Sequence, residues 1–228
     1  MEPKTSFLLE VVSDTICPWC YVGKRRLETA LAAIGDDISF ELRWRPFELN
    51  PDMPREGVNR KSYRSAKFGS WEASLELDAQ VKAAGASDGL DFHHERMEKT
   101  PNTLASHVLI DLAGETGVQS AVVEALFRAY FVDGEDVGDP TVLAAIGAKA
   151  GLDQTAVERT LADEARHAAV KAEARAFSRS GVSGVPTVLL NRFSLFTGAQ
   201  RPEVIERALR KAAAHEDVIA SGRSLARA

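Results

Sequence analysis

Only two cysteines occur in the 228 residues, so no disulfide framework can hold the fold and an apolar core must do so. No apolar run approaches the length of a transmembrane helix; the stretch from Phe7 to Val12 is short and interrupted by Glu10. The first residues, Met-Glu-Pro-Lys-Thr-Ser, do not combine a basic segment with a long apolar one, so a cytoplasmic protein with no membrane partner is expected. Positive charge is not in excess. The formal net charge is -5 with Lys and Arg scattered, which argues against nucleic acid as a partner. Repeats and low-complexity segments are absent. With 45% hydrophobic and 27% charged residues, the chain has the composition of an ordinary globular protein with a normal core.

The two cysteines stand together, as Cys17-Pro18-Trp19-Cys20. An apolar run, residues 7–12, leads into them and reads as a buried strand. Cys17 falls where a helix begins, with Pro18 suited to the first helical position because its missing N–H would be unpaired there. In a reducing compartment a lone close pair of cysteines is catalytic or metal-binding more often than structural. A zinc site would need two more ligands, and His93 and His94 are adjacent and remote rather than arranged as a matching knuckle. Pro-Trp between the cysteines and the strand-to-helix setting favour redox chemistry over zinc or a structural pair. A thiol reacts as its thiolate, which the first turn of a helix favours, and a second thiol one turn inside can displace a substrate bound to the first. No metal and no cofactor is required for that cycle.

Taken in order, residues 38–44 read as a second strand after a first helix that ends near Gly35. Strand, helix and strand favour a parallel pair with a right-handed crossover. The segment from Pro46 to Gly57 is rich in proline and reads as a long ordered loop. Some 120 residues with almost no strand signal follow. Helical spacing is expected over residues 59–84, 103–115, 120–132, 141–150, 153–162 and 163–180. Strand character returns at residues 186–190 and 193–196, with Asn191-Arg192 as the turn, before a last amphipathic helix after Pro202. The tail from His215 is expected to fray.

The two strand-bearing ends are each too small for a core, so one mixed sheet built from both is the economical solution. The expected fold class is α/β, a thioredoxin-like βαβ…ββα fold with a large inserted all-helical domain. Residues 1–54 and 180–228 form the first unit and 55–179 the insertion. A thioredoxin-like fold carries a cis-proline facing the cysteines in the loop before its third strand, which places a cis bond at Val185-Pro186 in Gly184-Val185-Pro186-Thr187.

Four motifs in this order resemble the DsbA-like family, in particular its FrnE-type cytoplasmic branch. They are Ser13-Asp14 with Cys17-Pro18-Trp19-Cys20-Tyr21-Val22-Gly23-Lys24-Arg25-Arg26-Leu27-Glu28, then Trp44-Arg45-Pro46-Phe47-Glu48-Leu49-Asn50-Pro51, then Asn102-Thr103 with His107, and finally Gly181 to Thr187. The resemblance implies thiol–disulfide oxidoreductase activity on protein thiols or disulfides, with glutathione as an alternative redox partner. It implies a mixed disulfide on Cys17, resolution by Cys20, and tuning of the redox potential by Pro18 and Trp19. Val185, Pro186, Trp19, His107, Asn102 and Thr103 would meet the substrate, although Asn102 and Thr103 have the chemistry of simple helix caps. The same architecture is shared by 2-hydroxychromene-2-carboxylate isomerases and kappa-class glutathione transferases, so a glutathione-dependent isomerase or transferase is the alternative. Those relatives typically have serine where Cys17 stands.

One position departs from the pattern. The buried acid that commonly serves the second cysteine of thioredoxin-like enzymes would fall at Val11, which cannot titrate, and Glu10 should point to the other face of the strand. Water or Asp14 is left to take the proton of Cys20. Lys24, Arg25 and Arg26 are expected on a solvated helix face, and Trp44, Trp71, Phe127 and Phe177 in the core. Oligomeric state, monomer or homodimer, is left open.

Overall fold

A computed structural model describes residues 6–215. A four-stranded sheet runs in the order β2-β1-β5-β6, with β1 (Ser6–Ser13) parallel to β2 (Ser39–Pro46) and antiparallel to β5 (Thr187–Leu190). β6 (Phe193–Thr197) closes the hairpin through Asn191 and Arg192, both at positive φ. The apolar run at residues 7–12 is explained by its place: β1 is central and buried on both faces. Phe7, Leu9 and Val11 face the main core, and Val12 joins Phe47 and Leu189 on the other side.

Helix α1 (Pro18–Ile34) crosses between β1 and β2 and packs on α9 (Pro202–Ala213), which buries Ile205 and Leu209. Between β2 and β5 lie α2 (Arg60–Phe68), α3 (Trp71–Ala86), α4 (Leu104–Thr116), α5 (Gln119–Arg128), α6 (Pro140–Lys149), α7 (Gln154–Leu161) and α8 (Glu164–Arg179). The mixed sheet from the two ends of the chain, with helices inserted between them, is the fold expected from the sequence. Among the described residues no helix is long and apolar enough to cross a membrane.

The segment expected as one helix over residues 59–84 is two, broken at Gly69 and Ser70. Gly69 takes φ 92° and the Ser70 hydroxyl accepts the Ala73 N–H to start α3. A short pair of strands, β3 (Val58–Asn59) and β4 (Lys99–Thr100), also lies in the stretch read as strandless. Two residues each are too few to show alternation. After α5 a π-helical turn, Ala129–Asp133, carries Tyr130 and Phe131. β2 is an edge strand, and the Gln119 amide covers its edge by accepting the Trp44 N–H at 2.8 Å and donating to the Trp44 carbonyl at 3.2 Å. The polar tail expected to fray lies outside the described residues, apart from His215.

Trp44 and Phe127 are core residues, as expected, whereas Trp71 and Phe177 are only half-buried. Trp71 instead carries the Arg60 guanidinium over its ring at 5.6 Å. The three cations of α1 depart further from expectation. Lys24 is buried and pairs with Glu28 at 2.5 Å and Glu124 at 2.7 Å, and Arg25 also pairs with Glu124. Arg26 binds Asp88 at 2.8 Å and the Ala199 carbonyl at 2.8 Å. Glu124 of α5 and Asp88 in the turn after α3 stand against α1, so the part of its face that holds Lys24 and Arg26 is a seam with the insertion.

His94 is buried, stacked on Phe92 at 5.2 Å, and its Nε2 has no partner. Burial lowers its pKa to about 4, the nearby Asp78 opposing. A folded pKa below the unfolded value of about 6.5 gives stability that is present above pH 6.5 and lost as pH falls through 4. Between pH 7 and 4 the wild type is expected to lose up to about 3 kcal/mol more than His94→Gln, as read by denaturant unfolding at the two pH values. Equal losses would show that His94 does not titrate with unfolding.

Candidate active site

The loop after β1 delivers Cys17 to the N-cap of α1, where its φ of -91° and ψ of 110° are extended and Pro18 opens the helix. The Cys17 N–H donates to the Asp14 carbonyl and the Cys20 N–H to the Cys17 carbonyl, each at 3.0 Å. A second tie holds this loop to the helices: the Thr15 and Ser106 hydroxyls are 2.8 Å apart in a buried contact. Both thiols are free. Cys17 is 6% exposed and Cys20 is fully buried.

The chain returns to the pair through the Val185-Pro186 loop. That bond is cis, and the Cys17 thiol points at the Val185 carbonyl at 3.7 Å. Pro186 is seated on Gly23 of α1, where a Cβ would lie 2.8 Å from the proline Cγ. Gly23→Ala should therefore displace the loop from Cys17. We expect an overpacking cost of about 1–3 kcal/mol, only partly offset by about 1 kcal/mol of helix propensity, together with slower exchange at Cys17. Denaturant unfolding and the rate of alkylation check this; unchanged values would show that the loop yields freely.

Burial raises the Cys20 pKa well above its ordinary value, the adjacent Cys17 sulfur adds to this, and the Ser13 hydroxyl opposes it. The Cys20 thiol is thus held protonated until a base reaches it. Val11 is buried and apolar. The Asp14 carboxylate does not fill the gap, because it accepts the Leu49 N–H at 2.7 Å and lies 3.6 Å from His107, and only its backbone meets Cys20. Ser13, which reading the sequence left without a role, is the side-chain hydroxyl at Cys20.

Cys17, Pro18 and Trp19 line a cavity of about 350 Å³. Its far wall is formed by Tyr63, Arg64, Lys67 and Phe68 of α2, Leu77, Asp78 and Val81 of α3, and Tyr130 from the π-helical turn. Leu49 and Asn50 complete the rim. Val185 approaches Cys17 from outside that lining. The remaining expected substrate residues are placed elsewhere. His107 is buried with Nε2 at 3.0 Å from the Phe47 carbonyl. Asn102, one residue before the Thr103 N-cap of α4, accepts the Leu104 N–H at 3.0 Å, and its amide donates to the Met53 carbonyl. Thr103 is buried at the same helix start, its carbonyl accepting the His107 N–H. Reading the sequence missed the α2 wall, although α2 carries four cations in nine residues and no acid.

The family model described as the DSBA-like thioredoxin domain matches residues 8–210. The crystal structure of the probable DsbA oxidoreductase SCO1869 of Streptomyces coelicolor is 34% identical, with a TM-score of 0.84, covering 92% of this chain and 91% of that one. The YwbO protein of Bacillus subtilis is 25% identical over 205 residues, 88% of this chain and 94% of that protein. The cytosolic disulfide reductase DsbM of Pseudomonas aeruginosa, solved with glutathione, shares the fold at 20% identity with a TM-score of 0.66, covering 90% and 98% of the two chains.

Proposed function

The chain belongs to the family of DSBA-like thioredoxin domains, and from that premise we propose that it is a thiol–disulfide oxidoreductase whose working pair is Cys17 and Cys20. The observation that carries the reading is the pair's geometry. Cys17 stands at the helix N-cap beside the Val185 carbonyl, and Cys20 lies one turn inside and fully buried. The Cys17 thiolate attacks one sulfur of a disulfide, the old S–S bond breaks, and one thiolate leaves. Cys20, once deprotonated, attacks the Cys17 sulfur and releases the second thiolate, leaving the protein oxidised and the substrate reduced by two electrons. The reverse sequence oxidises a dithiol. Pro18 and Trp19, between the sulfurs, tune the balance.

Protein thiols and glutathione both fit as partners for this cycle, and no further cofactor is needed. The relative DsbM, described as cytosolic and solved with glutathione, supports a glutathione-buffered cytoplasmic setting. Equilibrating the protein against glutathione redox buffers, with counting of free thiols, tests the reading. Two thiols should disappear together as a two-electron couple; loss of one thiol only, or none across the range, would end it. A glutathione-dependent isomerase or transferase is the second reading, favoured by a likeness in fold to 2-hydroxychromene-2-carboxylate isomerase, with a TM-score of 0.68. It requires turnover that survives Cys20→Ala.

A further inference from the structure

Four of the six large apolar side chains exposed among the described residues, Trp19, Leu49, Phe68 and Leu77, meet at the mouth of the cavity over Cys17. Exposed apolar groups gathered in one place mark a binding surface. Charge gathers there as well. Arg64 and Lys67 line the cavity, and Asp78, the only acid on its wall, is taken up by Arg60 at 2.6 Å and Arg64 at 2.8 Å. Two cations on the lining against one carboxylate, which the buried Arg60 also neutralises from behind, leave the mouth positive in a protein whose net charge is -5. Lys67 sits over the rings of Tyr63 and Phe68 at 5.3 and 6.0 Å, so its charge borders an aromatic surface.

Access adds a size limit. Cys17 is 6% exposed and forms part of the cavity lining, so the cavity gives a substrate sulfur its approach to it. At about 350 Å³ the cavity is of small-ligand size. A disulfide flanked by folded polypeptide on both sides presents its sulfur poorly to such a recess.

Resting on the redox reading above, we propose that this cavity selects low-molecular-weight disulfides, and the corresponding thiols, that carry a ring-sized apolar body and an anionic group. The body lies against Trp19, Phe68 and Leu77, and the anion meets Lys67. Cys17 attacks the near sulfur, the far half leaves as its thiolate, and Cys20 releases the near half in turn.

The test uses the reduced full chain and three disulfides: dithiobis(nitrobenzoate), which has rings and carboxylates; dithiodipyridine, which has rings only; and hydroxyethyl disulfide, which has neither. Lys67→Glu should slow dithiobis(nitrobenzoate) about tenfold more than dithiodipyridine, because it reverses the local field. Phe68→Ser should slow both ring disulfides more than hydroxyethyl disulfide. Both residues are exposed, so folding is retained. Equal slowing of all three probes by Lys67→Glu, or none, overturns the proposal while leaving the redox reading intact. Insulin reduction slowed as strongly as the nitrobenzoate reaction would assign the cavity to polypeptide and also overturn it. No exchange with any disulfide would instead overturn the redox reading itself.

Discussion

Serine in place of Cys17 is expected to bring thiol–disulfide exchange down to the uncatalysed rate, whereas serine in place of Cys20 should stall it after one step. The difference follows from position. Cys17 is the sulfur on the cavity lining beside the Val185 carbonyl, so it alone can meet a substrate, and a serine hydroxyl does not form a nucleophilic anion under the same conditions. Cys20 is fully buried beside Cys17, so its part in the proposed cycle is played on the Cys17 sulfur. Without it the mixed disulfide on Cys17 should accumulate, one substrate thiol per chain, and be read by intact-protein mass. The raised pKa of Cys20 adds a pH signature to the wild type. Its thiolate fraction grows with pH, so the mixed disulfide should be resolved faster as pH rises, with no such acceleration in Cys20→Ser. Sustained turnover by Cys17→Ser would contradict the assignment of the nucleophile.

Asp78→Ala is expected to cost about 3–5 kcal/mol of stability. Asp78 and Arg60 are both buried, and the carboxylate is shared at 2.6 Å with Arg60 and 2.8 Å with Arg64. Removing it leaves two guanidinium groups facing one another in a poorly hydrated site, which costs far more than the intact pair contributes. A domain of this kind has about 5–15 kcal/mol in all, so the variant should unfold at much lower denaturant. The same change should loosen α2, which forms a wall of the cavity over Cys17, and weaken selection among disulfides at denaturant concentrations where the chain is still folded. A loss below about 1 kcal/mol would mean that water hydrates both arginines once the carboxylate is gone.

The contrast between Cys17 and Asp78 marks the limit of reading residues in order. The cysteine pair is a local pattern: an apolar strand, two thiols one helical turn apart and a proline at the first helical position are contiguous. Each has a physical meaning without the rest of the chain. The proline at position 186 is less local, yet a proline leading into an apolar run is visible as text. The Arg60–Asp78–Arg64 group has no such signature, since its members lie on two helices whose break at Gly69 was not evident from spacing. The burial of Lys24 has no local signature for the same reason. Charged residues on a helix look solvated until another helix brings Glu124 against them.

The sequence by itself determined the central strand, the helix start that carries Cys17, the mixed sheet made from both ends and the helical insertion. All of these follow from apolar periodicity and backbone-restricting residues, which act over a few positions. Tertiary structure alone decided that Ser13 rather than Asp14 offers its side chain to Cys20. It also decided that His107 and Asn102 serve loops and a helix start, while α2 and α3 line the cavity over Cys17. The reason is distance along the chain. For the cavity wall, Tyr63 to Val81 stand 46 to 64 residues from Cys17, and only the packed helices bring them to it.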